Sequence, residues 1–252
     1  MSERTAANQL GFLLPHLRPG QDLIDCGCGP GSITVGLAEA VAPGRVVGLD
    51  IEARQLEAAR AAAQERGLSN IEFKQGSVYE LPFGDATFDV AVAHFVLEHV
   101  SDPLRALKEI RRVLRPGGLA AIKDPYYPAF VFRPLIPPIE RGWDLITRAR
   151  RHNKSSETYS ADMRSFLIQA GFARTQAESG THTVVGRDPA NPGGLAILRH
   201  QLTEAGFRET VIQQGWATAA ELDELVAGVA EAAQRPDLFG FVVWVQALGW
   251  VD

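Results

Sequence analysis

Leu23-Ile24-Asp25-Cys26-Gly27-Cys28-Gly29-Pro30-Gly31-Ser32-Ile33-Thr34 is the stretch on which the fold turns. An apolar start with one acid reads as a short buried strand, taken from Asp22 to Cys26, and three glycines within five residues follow at once. Behind them Ser32 to Val41 carries apolar residues at helical spacing, so strand, glycine loop and helix open a βαβ unit. Glycines let a backbone turn tightly and approach a ligand with no Cβ in the way, and Pro30 suits the start of the helix. In an open parallel sheet, ligands bind beyond the carboxyl ends of the strands where strand order reverses, which is where this loop falls.

The alternation continues outward from the loop. Pro43-Gly44 stops the helix before a second strand, Arg45 to Asp50, and Leu56, Ala59 and Ala63 mark the buried face of a helix from Glu52 to Arg66. Ile71 to Gln75 is a third strand, and Phe88 to Phe95 a fourth, apolar enough to be buried on both faces. Asp102-Pro103 supplies a cap and a first-turn proline for a helix with the stripe Leu104, Leu107, Ile110 and Leu114, ended by Pro116-Gly117-Gly118. Leu119 to Lys123 is the fifth strand, with Asp124 at its end. From Tyr126 to Tyr159 prolines, aromatics and a basic cluster replace the alternation, and no clear strand is visible; this segment reads as a lid-like insertion. Ser160 is taken to cap a helix ending near Gly171, with a strand inside Ala173 to Val185. Thr218 and Glu221 form a capping box for a helix from Ala219 to Gln234, and Phe241 to Leu248 is the last strand.

The 252 residues, 46% hydrophobic and 22% charged, suffice for one well-packed core, and no Ser-rich, Gly-rich or charge-block linker divides them. A single domain is expected over 1–252: a cofactor-binding half at 1–124, the insertion at 125–160, and C-terminal strands and substrate-side helices at 161–252. A net charge of -5 argues against a protein that neutralises many phosphates, so small molecules are expected partners rather than nucleic acid. Cys26 and Cys28 are the only cysteines, too few for a thiolate metal site, and no metal is expected. No signal-peptide core and no run of eighteen apolar residues is present, which points to a soluble, cytoplasmic protein without an integral membrane segment.

Asp50, ending the second strand about 20 residues after the loop, is placed to accept hydrogen bonds from both hydroxyls of a ribose. A nicotinamide-binding Rossmann domain is the competitor, but its GxGxxG spacing requires a glycine at position 32, where this chain has Ser32. The strings LIDCGCGPGSIT, VVGLDIE, GSVYELPFGDATFDV, FVLEHVSDP and VLRPGG, in this order over residues 23 to 118, resemble the class I S-adenosylmethionine-dependent methyltransferases of the type-11 group, similar to the ubiquinone and menaquinone C-methyltransferases. The preceding TAANQLGFLLPHLRPG resembles the helix that these enzymes place across the cofactor.

The resemblance implies a Rossmann-like α/β sheet of seven strands, mostly parallel with the last antiparallel, carrying helical lid insertions. It implies S-adenosylmethionine as cofactor, S-adenosylhomocysteine as product, and methyl transfer to a small acceptor that is apolar or quinone-, polyketide- or lipid-like. Asp25, Gly27, Gly29, Pro30 and Gly31 are then expected around the methionine part, Asp50 on the ribose and Ile51 on one adenine face. Ser77 and Val78 are expected on the other side of the adenine, Ser77 standing where many relatives carry an acid, and the His94 backbone at the sulfonium end. The fold also suits a cyclase or binding module that keeps the cofactor without transferring a methyl group.

Methyl transfer from a sulfonium chiefly requires a nucleophile held in line at short range, so no obligatory catalytic residue follows. Where the nucleophile must lose a proton, His94 is the candidate base, a side-chain role standing level with a purely backbone one. For His99 a scaffold role is favoured. Tyr126 and Tyr127 are expected to line the substrate space, and Asp124 to orient a base or cap a turn. The run Arg148, Arg150, Arg151, His152 and Lys154 is read as a solvated helix face, with capture of an anionic group as the lesser alternative.

Overall fold

Strand and helix alternate from Leu23 to Pro125 in the computed structural model, which describes residues 4–187 and 193–252. A short α1 (Ala6–Gln9) precedes β1 (Leu23–Cys26), α2 (Thr34–Val41), β2 (Val46–Asp50), α3 (Ala53–Glu65), β3 (Ile71–Gln75), β4 (Phe88–His94), α4 (Pro103–Val113) and β5 (Leu114–Pro125). There follow β6 (Val131–Arg133), α5 (Pro137–His152), α6 (Met163–Gln169), β7 (Arg174–Val185), α7 (Gly193–Thr203), α8 (Ala205–Gln213), α9 (Ala219–Ala232) and β8 (Phe239–Trp250). The strands form one sheet in the order β3-β2-β1-β4-β5-β8-β6, with β7 paired to β8. From β3 to β5 all pairs are parallel, and β6 runs antiparallel to β8. Strand order reverses at β1, between β2 and β4, so the glycine loop lies at the switch point.

The mostly parallel Rossmann-like sheet is the expected one, with an eighth strand in addition. That strand is β6, inside the segment where the sequence offered no strand: three residues between aromatics and a proline carry too little alternation to be seen. The same segment holds the 16-residue α5, which starts with Pro137 and Pro138 in its first turn. Two boundaries also move. β5 begins at Leu114 rather than Leu119, because Leu114 pairs with Phe88 before the register shifts to Val90 and Leu119, so Pro116-Gly117-Gly118 is an irregularity within the strand. Ser160 is not a helix cap: it is buried in a single turn of tight helix, Tyr159–Asp162, and α6 starts after Asp162.

Caches of apolar residues on both faces explain why the central strands are buried throughout. Ile24, Val47, Leu49 and Ala91 face Leu107 and Ile110 of α4 and Met163 and Leu167 of α6, while the alternate residues Leu23, Val46, Val90 and Val92 face Leu37, Ala38 and Val41 of α2. Asp102 caps α4 through its Oδ1, which accepts the Arg105 N–H at 2.9 Å.

By its contacts the chain divides into two compact units. Among the described residues the first holds 4–124 with Tyr159–Ser179 and Val245–Asp252; the second holds Pro125–Thr158 and Gly180–Trp244. In the second, Ile139 and Ile146 of α5, Leu198 and Leu202 of α7, and Val229 and Ala232 of α9 form the core. The capping box of α9 is complete, with Thr218 N–H donating to Glu221 Oε2 at 2.6 Å and Glu221 N–H donating to Thr218 Oγ1 at 3.2 Å.

Candidate functional site

The glycine loop leaves β1 and is tied at once to its neighbour: the N–H groups of Gly27 and Cys28 both donate to the Leu49 carbonyl, at 2.6 and 3.0 Å. Gly31 closes the turn by donating to the Cys28 carbonyl at 3.1 Å. Gly27 has a positive φ of 76°, and a Cβ there would stand 2.3 Å from Val96 Cγ2, so this glycine is required by packing. Gly29, at φ 52°, differs: a Cβ there meets no atom within 4 Å. It faces open space, beside the exposed Pro30.

Asp50 ends β2 directly opposite this opening. Its Oδ2 accepts the Gly29 N–H and its Oδ1 the Glu52 N–H, each at 2.9 Å. A carboxylate offers about four acceptor positions, so each oxygen keeps a lone pair for a ligand hydroxyl while its orientation is fixed by backbone. The next residue, Ile51, is 67% exposed and offers an apolar surface that suits a flat ligand face. Gln75 at the end of β3 donates to the Ile51 carbonyl at 3.0 Å, and beyond it the Ser77 hydroxyl accepts the Tyr79 N–H at 3.2 Å. The Val78 side chain belongs to the core. Asp25 is almost wholly buried beneath the loop, where its Oδ2 accepts the Thr34 hydroxyl at 2.7 Å and so joins β1 to the start of α2. Burial raises its pKa to about 6 against the Thr34 hydrogen bond. Cys26 and Cys28 are free and buried, and burial pushes both thiols up, which makes them inert.

A second set of polar groups gathers at the ends of β4 and β5. His94 is buried, stacks on Phe95 with ring centroids 4.1 Å apart, and places Nε2 3.3 Å from Gln9 Oε1, which accepts. Burial first, then the Lys123 and Arg4 charges, lowers its pKa to about 3, so the imidazole is neutral. Lys123 donates from Nζ to the Gln9 carbonyl at 2.8 Å, and burial, then Arg4, lowers it to about 8. Gln9, the last residue of α1, thus holds one group from each strand end. Phe95 sits at φ 59°, a left-handed conformation that a bulky residue adopts only when its surroundings impose it; its N–H donates to the Lys123 carbonyl at 2.9 Å. Asp124 is fully buried and accepts the Tyr159 hydroxyl and, at 3.4 Å, the Glu98 N–H. His99 is half exposed and pairs with Glu98 at 3.4 Å.

The structure therefore brings Asp25, Gly27, Gly29, Pro30, Gly31, Asp50 and Ile51 to one strand edge around the loop, with Ser77 and Val78 following β3 and His94 ending β4. Sequence reading overlooked Gln9, Glu98, Lys123 and Tyr159. For Lys123 a signal existed, since a cation closing the apolar run Leu119 to Ile122 has to be accommodated in a buried strand.

In the second unit the basic run is a solvated face in part: Arg151, His152 and Lys154 are exposed, and Arg150 is not. Arg150 is buried, with its guanidinium 4.4 Å from the Tyr127 ring centroid and donating to the Tyr127 hydroxyl at 2.7 Å. Arg148 lies over Trp216 at 4.7 Å, and Arg151 pairs with Glu157. The helix presents these cations to aromatic and acidic partners that its own sequence does not reveal. Tyr127 also lines a cleft of about 340 Å³ with Phe130, Phe132, Trp143 and Glu157 among its walls. Among the described residues no group of three His, Cys, Asp or Glu side chains is placed to hold a metal ion, and no helix is long and apolar enough to cross a membrane.

A family model described as a methyltransferase domain matches residues 24–122. A demethylmenaquinone methyltransferase of Staphylococcus carnosus is 35% identical over 219 residues, covering 79% of this chain and 81% of its own. An uncharacterized methyltransferase of Schizosaccharomyces pombe is 31% identical over 189 residues, covering 71% of this chain and 66% of its own. Against three of its curated relatives the match spans 61 to 66% of their length. Among solved structures, the YcgJ protein of Bacillus subtilis superposes with a TM-score of 0.65 at 20% identity, covering 97% of this chain and 99% of that one. The [4+2]-cyclase SpnF has the same fold, with a TM-score of 0.58 at 23% identity over 98% of this chain and 83% of its own.

Proposed function

The chain belongs to the class I S-adenosylmethionine-dependent methyltransferases of the type-11 group, and from that premise we propose that it transfers a methyl group from S-adenosylmethionine to a small-molecule acceptor. The observation that carries the proposal is the pairing of Asp50 with Gly29: a carboxylate fixed by two backbone N–H groups beside the one loop glycine that opens on free space. These residues fit the cofactor. In this reading Asp50 binds the ribose hydroxyls, the exposed Ile51 covers one adenine face, and Ser77 and Val78 bound the other side. Gly27, Gly29, Pro30 and Gly31 enclose the methionine part, with Asp25 bracing the loop from below.

When bound, S-adenosylmethionine supplies a methyl group on a good leaving group, so this chain's contribution is to align the acceptor in line and exclude water. His94 stands at the strand end assigned to the reacting group. With a pKa of about 3 its imidazole is a feeble base at pH 7, and we assign it contact and orientation rather than proton removal. The acceptor we propose is apolar and ring-bearing, in keeping with the demethylmenaquinone methyltransferase name of the Staphylococcus relative.

Calorimetry with S-adenosylhomocysteine tests the binding half. Wild type is expected to bind, and Asp50→Ala to bind at least about a hundredfold more weakly, since two charge-assisted hydrogen bonds contribute about 1.5–3 kcal/mol each. Equal affinity of the two proteins overturns the assignment. Release of S-adenosylhomocysteine during turnover tests the transfer half, because a cyclase that merely retains the cofactor releases none.

A further inference from the structure

The sheet of the first unit ends in two outer strands, β3 and β7, and they are guarded differently. β3 is short, carries Glu72 and Lys74, and has its Phe73 carbonyl occupied by the Arg60 guanidinium of α3 at 3.1 Å. The part of β7 that belongs to this unit, residues 174–179, pairs with β8 and, among the described residues, with no other strand. Arg174 and Gln176 to Ser179 are exposed and Thr175 is half-buried, so neither face of this stretch is packed. Charged side chains commonly guard such an edge, but here both are drawn toward β8. The Arg174 guanidinium lies 3.8 Å from the Trp250 ring centroid, and Glu178 Oε1 accepts from Gln246 Nε2 at 2.5 Å. Arg174-Thr175-Gln176-Ala177-Glu178-Ser179 contains no proline or glycine to interrupt pairing. Its outward row of N–H and C=O groups is a template for a further strand.

We propose that residues 174–179 are the docking surface for a second copy of this chain, the two β7 strands pairing antiparallel about a two-fold axis at Gln176. The occupant is a second copy because the segment is complementary to itself. Arg174, Gln176 and Glu178 share one face of the strand. A two-fold at Gln176 sets Arg174 opposite Glu178 of the partner subunit, and Glu178 opposite Arg174 of the partner subunit. Between these two charge pairs the Gln176 amides of both copies meet, each able to donate and to accept. A two-fold at Glu178 would instead bring two carboxylates together. Six residues extend about 20 Å, a small contact that describes an exchanging dimer rather than a permanent one. The inference stands apart from the methyltransferase reading and does not depend on it.

Analytical ultracentrifugation of the full chain from about 1 μM to about 1 mM tests the proposal, with the mass expected to rise toward twice that of the monomer. Glu178→Arg sets arginine against arginine at both charge pairs, and Gln176→Lys sets lysine against lysine at the axis. Each is expected to raise the dissociation constant at least about fivefold. Arg174→Glu combined with Glu178→Arg restores opposite charges and is expected to dimerise at least about threefold more tightly than Glu178→Arg alone, a rescue that a merely structural role of either residue does not produce. Gln176→Cys is expected to form a disulfide-linked dimer under mild oxidation, because opposite Cα atoms of an antiparallel pair lie about 4.5–5.5 Å apart, within disulfide reach. Thr181→Cys, about 30 Å from its counterpart in this register, is expected to stay unlinked. Cys26 and Cys28 are buried and do not compete. The substituted positions are exposed, and unchanged thermal midpoints confirm that each variant is folded. A wild type that stays monomeric up to about 1 mM, a dimer indifferent to both Glu178→Arg and Gln176→Lys, a double reversal no tighter than the single one, or cross-linking of Thr181→Cys in place of Gln176→Cys overturns the inference. Titration with S-adenosylhomocysteine keeps the two readings apart: a monomer that binds it removes this inference only, and a dimer that does not removes the methyltransferase reading only.

Discussion

Gly29→Ala is expected to damage cofactor binding far more than folding, and Gly27→Ala the reverse. Both residues sit in the left-handed region, at φ 52° and 76°, where an alanine costs about 1–2 kcal/mol. For Gly29 that is the whole structural cost, because its Cβ meets nothing within 4 Å. For a protein of this size it lowers the thermal midpoint by about 2–8 °C. At Gly27 the new Cβ lies 2.3 Å from Val96 Cγ2, well inside the ordinary carbon separation of about 3.5–4 Å. Val96 is β-branched and stiff at χ1, so relief requires backbone movement and adds about 1–3 kcal/mol of overpacking. The ligand side runs the other way. A methyl group on Gly29 occupies the space beside the Asp50 carboxylate, and displacing a ligand there by even part of an ångström forfeits contact and hydrogen-bond geometry. A loss of at least about 1.4 kcal/mol, tenfold in affinity, is expected for S-adenosylhomocysteine. Differential scanning calorimetry and isothermal titration below the midpoint of every variant give the two readouts. Binding by Gly29→Ala within twofold of wild type, or a midpoint drop equal to that of Gly27→Ala, refutes the assignment of Gly29 to the ligand.

Further outcomes follow from the buried titrating groups and from the caps. His94 has a folded pKa of about 3, below its ordinary 6.5, so the unfolded chain binds the extra proton between these values. Its stabilising contribution is present above pH 6.5 and lost as pH falls toward 3, at no more than about 1.4 kcal/mol per pH unit; urea titrations of wild type and His94→Gln check it, the variant showing the shallower fall. Asp25 has the opposite sign: its folded pKa of about 6 exceeds 3.8, so its contribution is present below about pH 4 and lost as pH rises through 6, and Asp25→Asn removes that decline. Thr218→Ala breaks the α9 capping box and is expected to cost about 1 kcal/mol in chemical denaturation while S-adenosylhomocysteine affinity is unchanged. Tyr159→Phe removes a donor from the fully buried Asp124 and is expected to cost about 1–3 kcal/mol in the same measurement.

The half of the candidate site that was legible in the sequence is the half built from local signals. Gly27 to Gly31 and Asp50 lie on consecutive βα connections whose apolar periods are strong, and the bonds that join them run between neighbouring strand ends. Periodicity located those ends to within a residue or two, and the register of a parallel pair did the rest. The polar cluster at β4 and β5 has no such signature. Gln9 meets His94 across 85 residues and Lys123 across 114, and no spacing rule links a glutamine in a four-residue helix to either. Within the basic run Arg151, His152 and Lys154 are exposed as a solvated face requires, and Arg150 departs from it for the same reason: helical spacing places it on the helix, but only a tertiary partner such as Tyr127 decides that it is buried.

The two halves nevertheless obey one electrostatic logic under the proposed function. A sulfonium ligand carries a positive charge, and a protonated histidine at the strand end assigned to it would oppose its binding. Burial of His94, reinforced by Lys123 and Arg4, keeps that ring uncharged at neutral pH, while Gln9 satisfies it through a neutral hydrogen bond. On the opposite side of the loop the carboxylate of Asp50 remains oriented toward the opening by two backbone donors. The cations near His94 therefore act at a distance to keep its ring uncharged. Replacing Gln9 by Glu would offer that ring an anionic partner, raise its pKa and return a proton to it. By this logic the proton, once back, favours S-adenosylhomocysteine, a neutral thioether, over the sulfonium as pH falls toward 6, and a ratio of the two affinities that does not move with pH in Gln9→Glu contradicts it.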